Sequence, residues 1–262
     1  MRVAVVTGAA RGIGAAAALR LAASGFRLVL VDACADDPAV GYPLATRGDL
    51  DSVVESCGGA GAAIGVVADV RDGRALKEAC GEAAGAFGGL DAAVAAAGVI
   101  AGGMVSWETP EASFEAVVGV DLLGVHHLAA AAVPLMLGRP APRSGRFVAV
   151  ASAAAVVGLP RLGAYAAAKH GVVGYVRSLA ADLGGTGITA NVVAPGSTLT
   201  PMLEESARLY GLDDPGELAE HHLDRRILEP DEVAAAVVFL CQPQSSGLTG
   251  AVVPVDAGMT AR

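Results

Sequence analysis

Tyr165 and Lys169 stand four residues apart, and Ser152 lies thirteen residues before the tyrosine. On a helix, that spacing puts the phenol and the ammonium on one face. A free phenol titrates near ~10 and is a poor base at neutral pH. A neighbouring ammonium favours the phenolate and lowers that pKa. Tyr165 could then take the proton of an alcohol or return one to a ketone, while the Ser152 hydroxyl hydrogen-bonds the reacting oxygen. A tyrosine and lysine at this spacing more often mark a solvated helix face, so the rest of the chain must decide.

A second group of residues bears on the choice. Thr7-Gly8-Ala9-Ala10-Arg11-Gly12-Ile13-Gly14 follows the apolar run Val3–Val6 and leads into an alanine-rich stretch. A glycine turn between strand and helix lets backbone N–H groups reach a pyrophosphate, and the helix N-terminus favours its charge. Gly8 permits the turn, and Gly12 and Gly14 permit close approach of backbone and sheet. The glycine spacing differs from the commoner G-x-G-x-x-G, and a plain tight turn is the alternative. Asp32 ends the next apolar run, where a carboxylate can accept both ribose hydroxyls and repel a 2′-phosphate, which favours NAD over NADP. Arg11 pulls the other way, but Ala33 offers no second cation. Asp69 and Val70 could cap an adenine with a side-chain acceptor and a backbone N–H, or Asp69 could simply begin a helix.

These residues need a scaffold, and the hydrophobic pattern supplies one. Apolar runs at Val3–Val6, Arg27–Val31, Ala62–Ala68, Asp91–Ala96, Arg146–Ala151, Thr189–Val193 and Ala251–Val255 read as strands. Helical stretches fall between them at Gly12–Ala23, Asp72–Phe87, Phe114–Leu137, Leu162–Leu183 and Asp231–Leu240. Such alternation implies an α/β fold: one doubly wound, Rossmann-like domain with a parallel sheet covered on both faces. Two segments interrupt it. Ala33–Leu50 sits where a short turn would suffice, and Ser197–Glu229 mixes prolines, Gly211 and charges; the second reads as a mobile lid.

Composition narrows the field. The chain has 262 residues, 53% of them hydrophobic and 4% aromatic, so Ala, Val and Leu must build the core. A net charge of −9 argues against nucleic acid and anionic membrane surfaces as partners. Mean hydropathy is +0.54, yet the apolar stretch Ala92–Trp107 covers only 16 residues and Val233–Val255 is broken by Gln242–Gly247. No signal-peptide pattern opens the sequence. The four cysteines, Cys34, Cys57, Cys80 and Cys241, lack metal or redox spacing, so no metal and a cytoplasmic location are expected. His126 and His127 read as interface or surface residues and His170 as pointing away from the site, while His221 and His222 could reach a substrate.

With these motifs assembled, the sequence resembles the short-chain dehydrogenase/reductase family over nearly its whole length. The matching elements are T-G-x-x-x-G-I-G at Thr7–Gly14, Ser152, Tyr165 with Lys169, and N-x-x-x-P-G at Asn191–Gly196. The resemblance implies a sheet of about seven strands and hydride transfer between a nicotinamide and a secondary alcohol or ketone. Lys169 would hold the nicotinamide ribose, Pro195 and Gly196 would meet the nicotinamide end, and Thr198 or Thr200 its carboxamide or phosphate. Two departures stand out. The family's N-N-A-G is here Ala95-Ala96-Ala97-Gly98, and its catalytic Asn is here Asp121. Asp121 is expected either to join the proton relay through Lys169 or merely to start a helix. The resemblance makes helices Asp121–Leu137 and Leu162–Leu183 the paired-helix interface of a dimer and the C-terminal strand region a second interface, which implies a homotetramer. The Ala33–Leu50 insert is similar to that of the mycofactocin-associated, carveol dehydrogenase-like branch. That likeness implies a flap over the adenosine end beside Asp32, tightly held NAD and an external electron acceptor. A 3-oxoacyl-type reductase, disfavoured by Asp32 and the insert, and a non-catalytic dinucleotide-binding protein are the alternatives.

Overall fold

A computed structural model describes residues 1–261. Seven strands alternate with helices: β1 (Val3–Thr7), α1 (Gly12–Ala23), β2 (Arg27–Asp32), α2 (Arg47–Ser56), β3 (Ala63–Val67), α3 (Gly73–Phe87), β4 (Ala92–Ala95), α4 (Glu111–Val118), α5 (Gly124–Leu137), β5 (Arg146–Val150), α6 (Gly163–Asp182), β6 (Thr189–Pro195), α7 (Pro201–Tyr210), α8 (Pro230–Cys241) and β7 (Val252–Val255). The strands form one sheet in the order β3-β2-β1-β4-β5-β6-β7, and every pairing is parallel. The order reverses between β1 and β4. Their carboxyl ends therefore open a crevice, where open α/β sheets take their ligands.

Buried on both faces, the strands split their side chains between two cores. Val3, Val5 and Phe147 pack with Leu76 of α3, Leu128 of α5 and Val172 of α6. Ala4, Val6 and Val148 pack with Leu21 of α1, Leu50 of α2 and Val237 of α8. The many alanines let helices lie close against the sheet, so few aromatics are needed.

Three local results differ from the sequence pattern. The stretch expected to be an irregular insert up to Leu50 already contains the start of α2, capped by Thr46, whose hydroxyl and the Asp49 carboxylate close a reciprocal box. Leu50 is the only fully buried residue of that ten-residue helix, so the apolar period is nearly silent. The helix expected from Phe114 begins at Glu111 after Pro110, and runs to Leu137 through one widened turn, Gly119–Leu123. By length and composition it could cross a membrane, but half of its most apolar window is buried inside the protein. Finally, the 197–229 segment contains α7 and a 3₁₀ turn over Pro215–His221.

Candidate functional site

A cavity of about 750 Å³ runs along the carboxyl ends of the strands and reaches from the glycine turn to Tyr165. At one end, Gly8 adopts φ +66°, and a Cβ there would stand 2.6 Å from Ala97 Cα. A Cβ on Gly14 would stand 2.0 Å from the Gly8 carbonyl oxygen. Only glycine lets β1, the turn and the loop after β4 meet so closely. Gly12, at φ +58°, lies close to Thr200: a Cβ there would stand 3.2 Å from the Thr200 methyl, and both residues line the cavity. Ile13, Ala97 and Gly98 complete the wall. The Thr7 hydroxyl bridges β1 to β4 through the Val94 carbonyl and the Ala97 N–H, each at 3.5 Å, close to where the resemblance places the missing Asn.

Asp32 is held at the end of β2 by two backbone donors, Ala10 N–H at 3.1 Å and Cys34 N–H at 3.2 Å. The expected pull of Arg11 toward a 2′-phosphate is met by a competing partner. Its guanidinium donates to the Pro43 carbonyl at 2.9 Å and lies over the Tyr42 ring. Asp69 likewise is engaged by Arg71, which also pairs with Asp37 of the insert at 2.6 Å. The Asp69 carboxylate is thus shared with Arg71, while Val70 lines the cavity beside it. The insert reaches well beyond Asp32: Val40, Tyr42 and Leu44 join a hydrophobic cluster with Tyr165 and Met202.

At the other end, Ser152 follows β5 and its Oγ accepts the Ala154 N–H at 3.1 Å. Tyr165 sits in the first turn of α6, with Lys169 one turn on and its Nζ 5.5 Å from the Tyr165 ring centroid. Nζ donates to the Val150 carbonyl at 3.3 Å and pairs with Asp121 Oδ2 at 3.0 Å. Asp121 and Lys169 are 0% and 3% exposed. Asp121 lies in the widened turn, where such irregularities often mark functional positions, and its Oδ1 accepts the Val99 N–H at 2.8 Å. Gly98 leaves room for this pair; a Cβ there would come within 3.4 Å of both charged groups.

Charge balance follows from burial. Burial pushes the Tyr165 phenol up; Lys169 draws it down, Asp121 opposes Lys169, and a hydrogen bond to Ser152 helps the phenolate. Lys169 is raised despite the opposing effect of burial, because Asp121 and Tyr165 favour its charge. Burial pushes Asp121 up, against Lys169 and the Val99 N–H.

Pro195 ends β6, and Gly196 is pressed so close to Asp256 that a Cβ would lie 2.9 Å from its Cα. The hydroxyls of Thr198 and Thr200 donate to the carbonyls of Gly196 and Thr198, so both are turned to backbone while the residues line the cavity. His222 is buried: its Nε2 accepts the Ser197 N–H at 3.0 Å and its Nδ1 reaches the Arg226 carbonyl, a structural role, whereas His221 lines the cavity. Met202, with its sulfur 3.9 Å from the Tyr165 hydroxyl, had no signal in the sequence, nor did Leu159, Tyr210 or Leu218 as lining residues.

The family model described as enoyl-(acyl carrier protein) reductase matches residues 8–260. The chain is 36% identical to (-)-trans-carveol dehydrogenase of Rhodococcus erythropolis, over 99% of this chain and 97% of that protein. It is 33% identical to levodione reductase of Leifsonia aquatica, over 99% and 94%. Among solved structures, carveol dehydrogenase from Mycobacterium avium in complex with NAD superposes with a TM-score of 0.92 and 32% identity, covering 100% of this chain and 98% of that one.

Proposed function

The chain belongs to the short-chain dehydrogenase/reductase family, and from that premise we propose that it is an NAD-dependent oxidoreductase interconverting a secondary alcohol and its ketone. The observation that carries this reading is one cavity shared by the glycine turn, Asp32, Ser152, Tyr165 and Lys169. The residues present fit the dinucleotide: glycines whose Cβ atoms would fill the cradle, and a carboxylate fixed by two N–H donors where ribose hydroxyls would lie. Gly8, Gly12, Ile13, Asp32, Val70, Ala97, Gly98, Pro195, Gly196, Thr198 and Thr200 would hold it, together with Arg11 and Asp69, which line the same cavity while tied to Pro43 and Arg71. NAD, when bound, supplies the acceptor and donor of hydride.

The chain's own residues handle the proton. Tyr165 Oη takes the hydroxyl proton of the alcohol in oxidation and returns it to the carbonyl oxygen in reduction. Ser152 Oγ orients that oxygen. The Lys169 ammonium stabilises the phenolate, and Asp121 holds Lys169 in its charged form and joins the proton relay. The apolar wall of Leu159, Leu162, Met202 and Leu218 excludes water and suits a hydrophobic ring such as the carveol and levodione relatives are named for.

The reading extends to assembly and exchange. The small-residue faces of α5 and α6 would pair copies into a dimer, and the C-terminal region around β7 would join two dimers into a homotetramer. The four free thiols suit a reducing cytoplasm. The ties of the insert to Arg11 and Arg71 favour slow release of NAD and reoxidation by an external acceptor, the trait of the mycofactocin-associated branch. Tyr165→Phe tests the core of the proposal: NAD should still bind, and oxidation of cyclic secondary alcohols should fall by about 10²–10⁴-fold. Wild-type turnover in that variant would refute it.

A further inference from the structure

The charges lining the cavity are sorted by end. Its carboxylates, Asp32, Asp36, Asp37 and Asp69, all lie at the end of β2 or after β2 or β3, on the side proposed for the adenosine. Around Ser152 and Tyr165 the lining carries no carboxylate, and its cations are Lys169 and Arg161. Lys169 is neutralised by Asp121. The Arg161 guanidinium has no ion-pair or hydrogen-bond partner among the described residues, although the chain as a whole carries a net charge of −9.

Arg161 is also held in place by unusual means. Its backbone adopts φ +60°, a region that side chains other than glycine rarely occupy. The strain is fixed from behind: its carbonyl accepts the Gly103 N–H at 3.0 Å, and a Cβ on Gly102 would come within 2.4 Å of that oxygen. Such strained positions cluster at ligand-binding sites. Next to it the Tyr210 hydroxyl donates to the Pro160 carbonyl at 3.1 Å, which brings the α7 wall to the same rim. Burial pushes that phenol up, and the charge of Arg161 opposes the shift, which places the guanidinium within electrostatic reach of α7.

We propose that the substrate is an apolar hydroxy or keto acid, whose carboxylate is received by Arg161 at the cavity mouth while its ring or chain lies between Leu159, Leu162 and Met202 and its reacting oxygen meets Ser152 and Tyr165. This rests on the oxidoreductase reading of the site and adds the chemical class of its substrate. Arg161 is exposed, so a molecule lacking an anionic end leaves it solvated and gains nothing from it. A carboxylate gains a charge-assisted, bidentate contact that strengthens as the bound molecule covers the guanidinium.

The test uses 4-oxocyclohexanecarboxylate and its primary carboxamide, matched in ring and reach, with the intact protein and NADH. Wild type should prefer the acid by about tenfold in kcat/KM, mostly through KM, with the preference shrinking as salt is raised. Arg161→Gln should abolish the preference while leaving turnover of the amide unchanged, and Arg161→Lys should restore part of it. Tyr165→Phe should abolish turnover of both ketones, so failure of the chemistry is told apart from failure of the recognition. Calorimetric binding of the same pair to the NADH-loaded protein reads the preference without turnover. Equal binding of acid and amide by wild type, or a preference that survives in Arg161→Gln, would overturn the proposal.

Discussion

Asp121→Ala removes one partner of an ion pair that is essentially withdrawn from water, with the carboxylate 0% and the lysine 3% exposed. The 3.0 Å contact is lost, and so is the acceptor for the Val99 N–H at 2.8 Å. Breaking a buried pair from one side costs about 3–5 kcal/mol, because the remaining charge is left uncompensated. At about 2.1 cal/mol/K per residue, a chain of 262 residues has an unfolding entropy of about 0.55 kcal/mol/K, so Tm should fall by roughly 5–9 °C. Lys169 keeps only the Val150 carbonyl at 3.3 Å, and burial then favours its neutral form. Asp121→Asn is the control: its single amide oxygen can still accept from one of the two donors, Val99 N–H or Lys169 Nζ, so its loss of Tm should be smaller. It also removes a negative charge that raises the Tyr165 pKa. The phenolate is the form that accepts the alcohol proton, so a lower Tyr165 pKa makes it available at lower pH. The acid limb of kcat/KM for alcohol oxidation should therefore move to lower pH in Asp121→Asn. Scanning calorimetry and a pH series of initial rates read both effects. An Ala variant as stable as wild type, or an Asn variant whose limb stays put or moves to higher pH, would refute this account of the pair.

Further outcomes follow from the cofactor end and the surface. Asp32→Ala should weaken NAD binding and relax the exclusion of NADP, because one carboxylate is both acceptor and repulsive charge; calorimetry with both dinucleotides checks this, and a wild type that prefers NADP contradicts it. Arg11→Ala frees the insert from the Pro43 carbonyl and the Tyr42 ring. It should speed NAD release measured by exchange with labelled NAD, and an unchanged off-rate would reduce the insert to a surface elaboration. Light scattering at micromolar concentration should give a tetramer, and a stable monomer would remove the assembly proposed for α5 and α6.

The strands were legible because parallel strands buried on both faces are written as unbroken apolar runs, and Val3–Val6 and Arg146–Ala151 look like little else. The glycine turn was legible because its glycines are demanded by contacts within one local unit, Gly14 against Gly8. α2 was not, because a helix that buries only Leu50 has almost no apolar period to read. Partnerships across the fold were also silent. Nothing local to Arg11 announces Pro43, 32 residues away, and nothing in the insert announces that Val40 and Tyr42 share a cluster with Tyr165. Asp121 could be suspected only by its place in a motif; the distance to Lys169 needed the sheet to bring α6 against the widened turn between α4 and α5.

In the proposed reaction Tyr165 moves the proton that accompanies hydride transfer, in the cavity that would hold NAD. Single-turnover mixing of the NAD-loaded protein with a cyclic secondary alcohol, protiated or deuterated at the carbinol carbon, follows the growth of reduced-nicotinamide absorbance directly. Wild type should show a burst that slows with deuterium and rises with pH as the Tyr165 phenol ionises. Tyr165→Phe should bind NAD equally and show neither burst nor pH dependence. A burst of wild-type rate in Tyr165→Phe, or none in wild type with any secondary alcohol although NAD is bound, would contradict it.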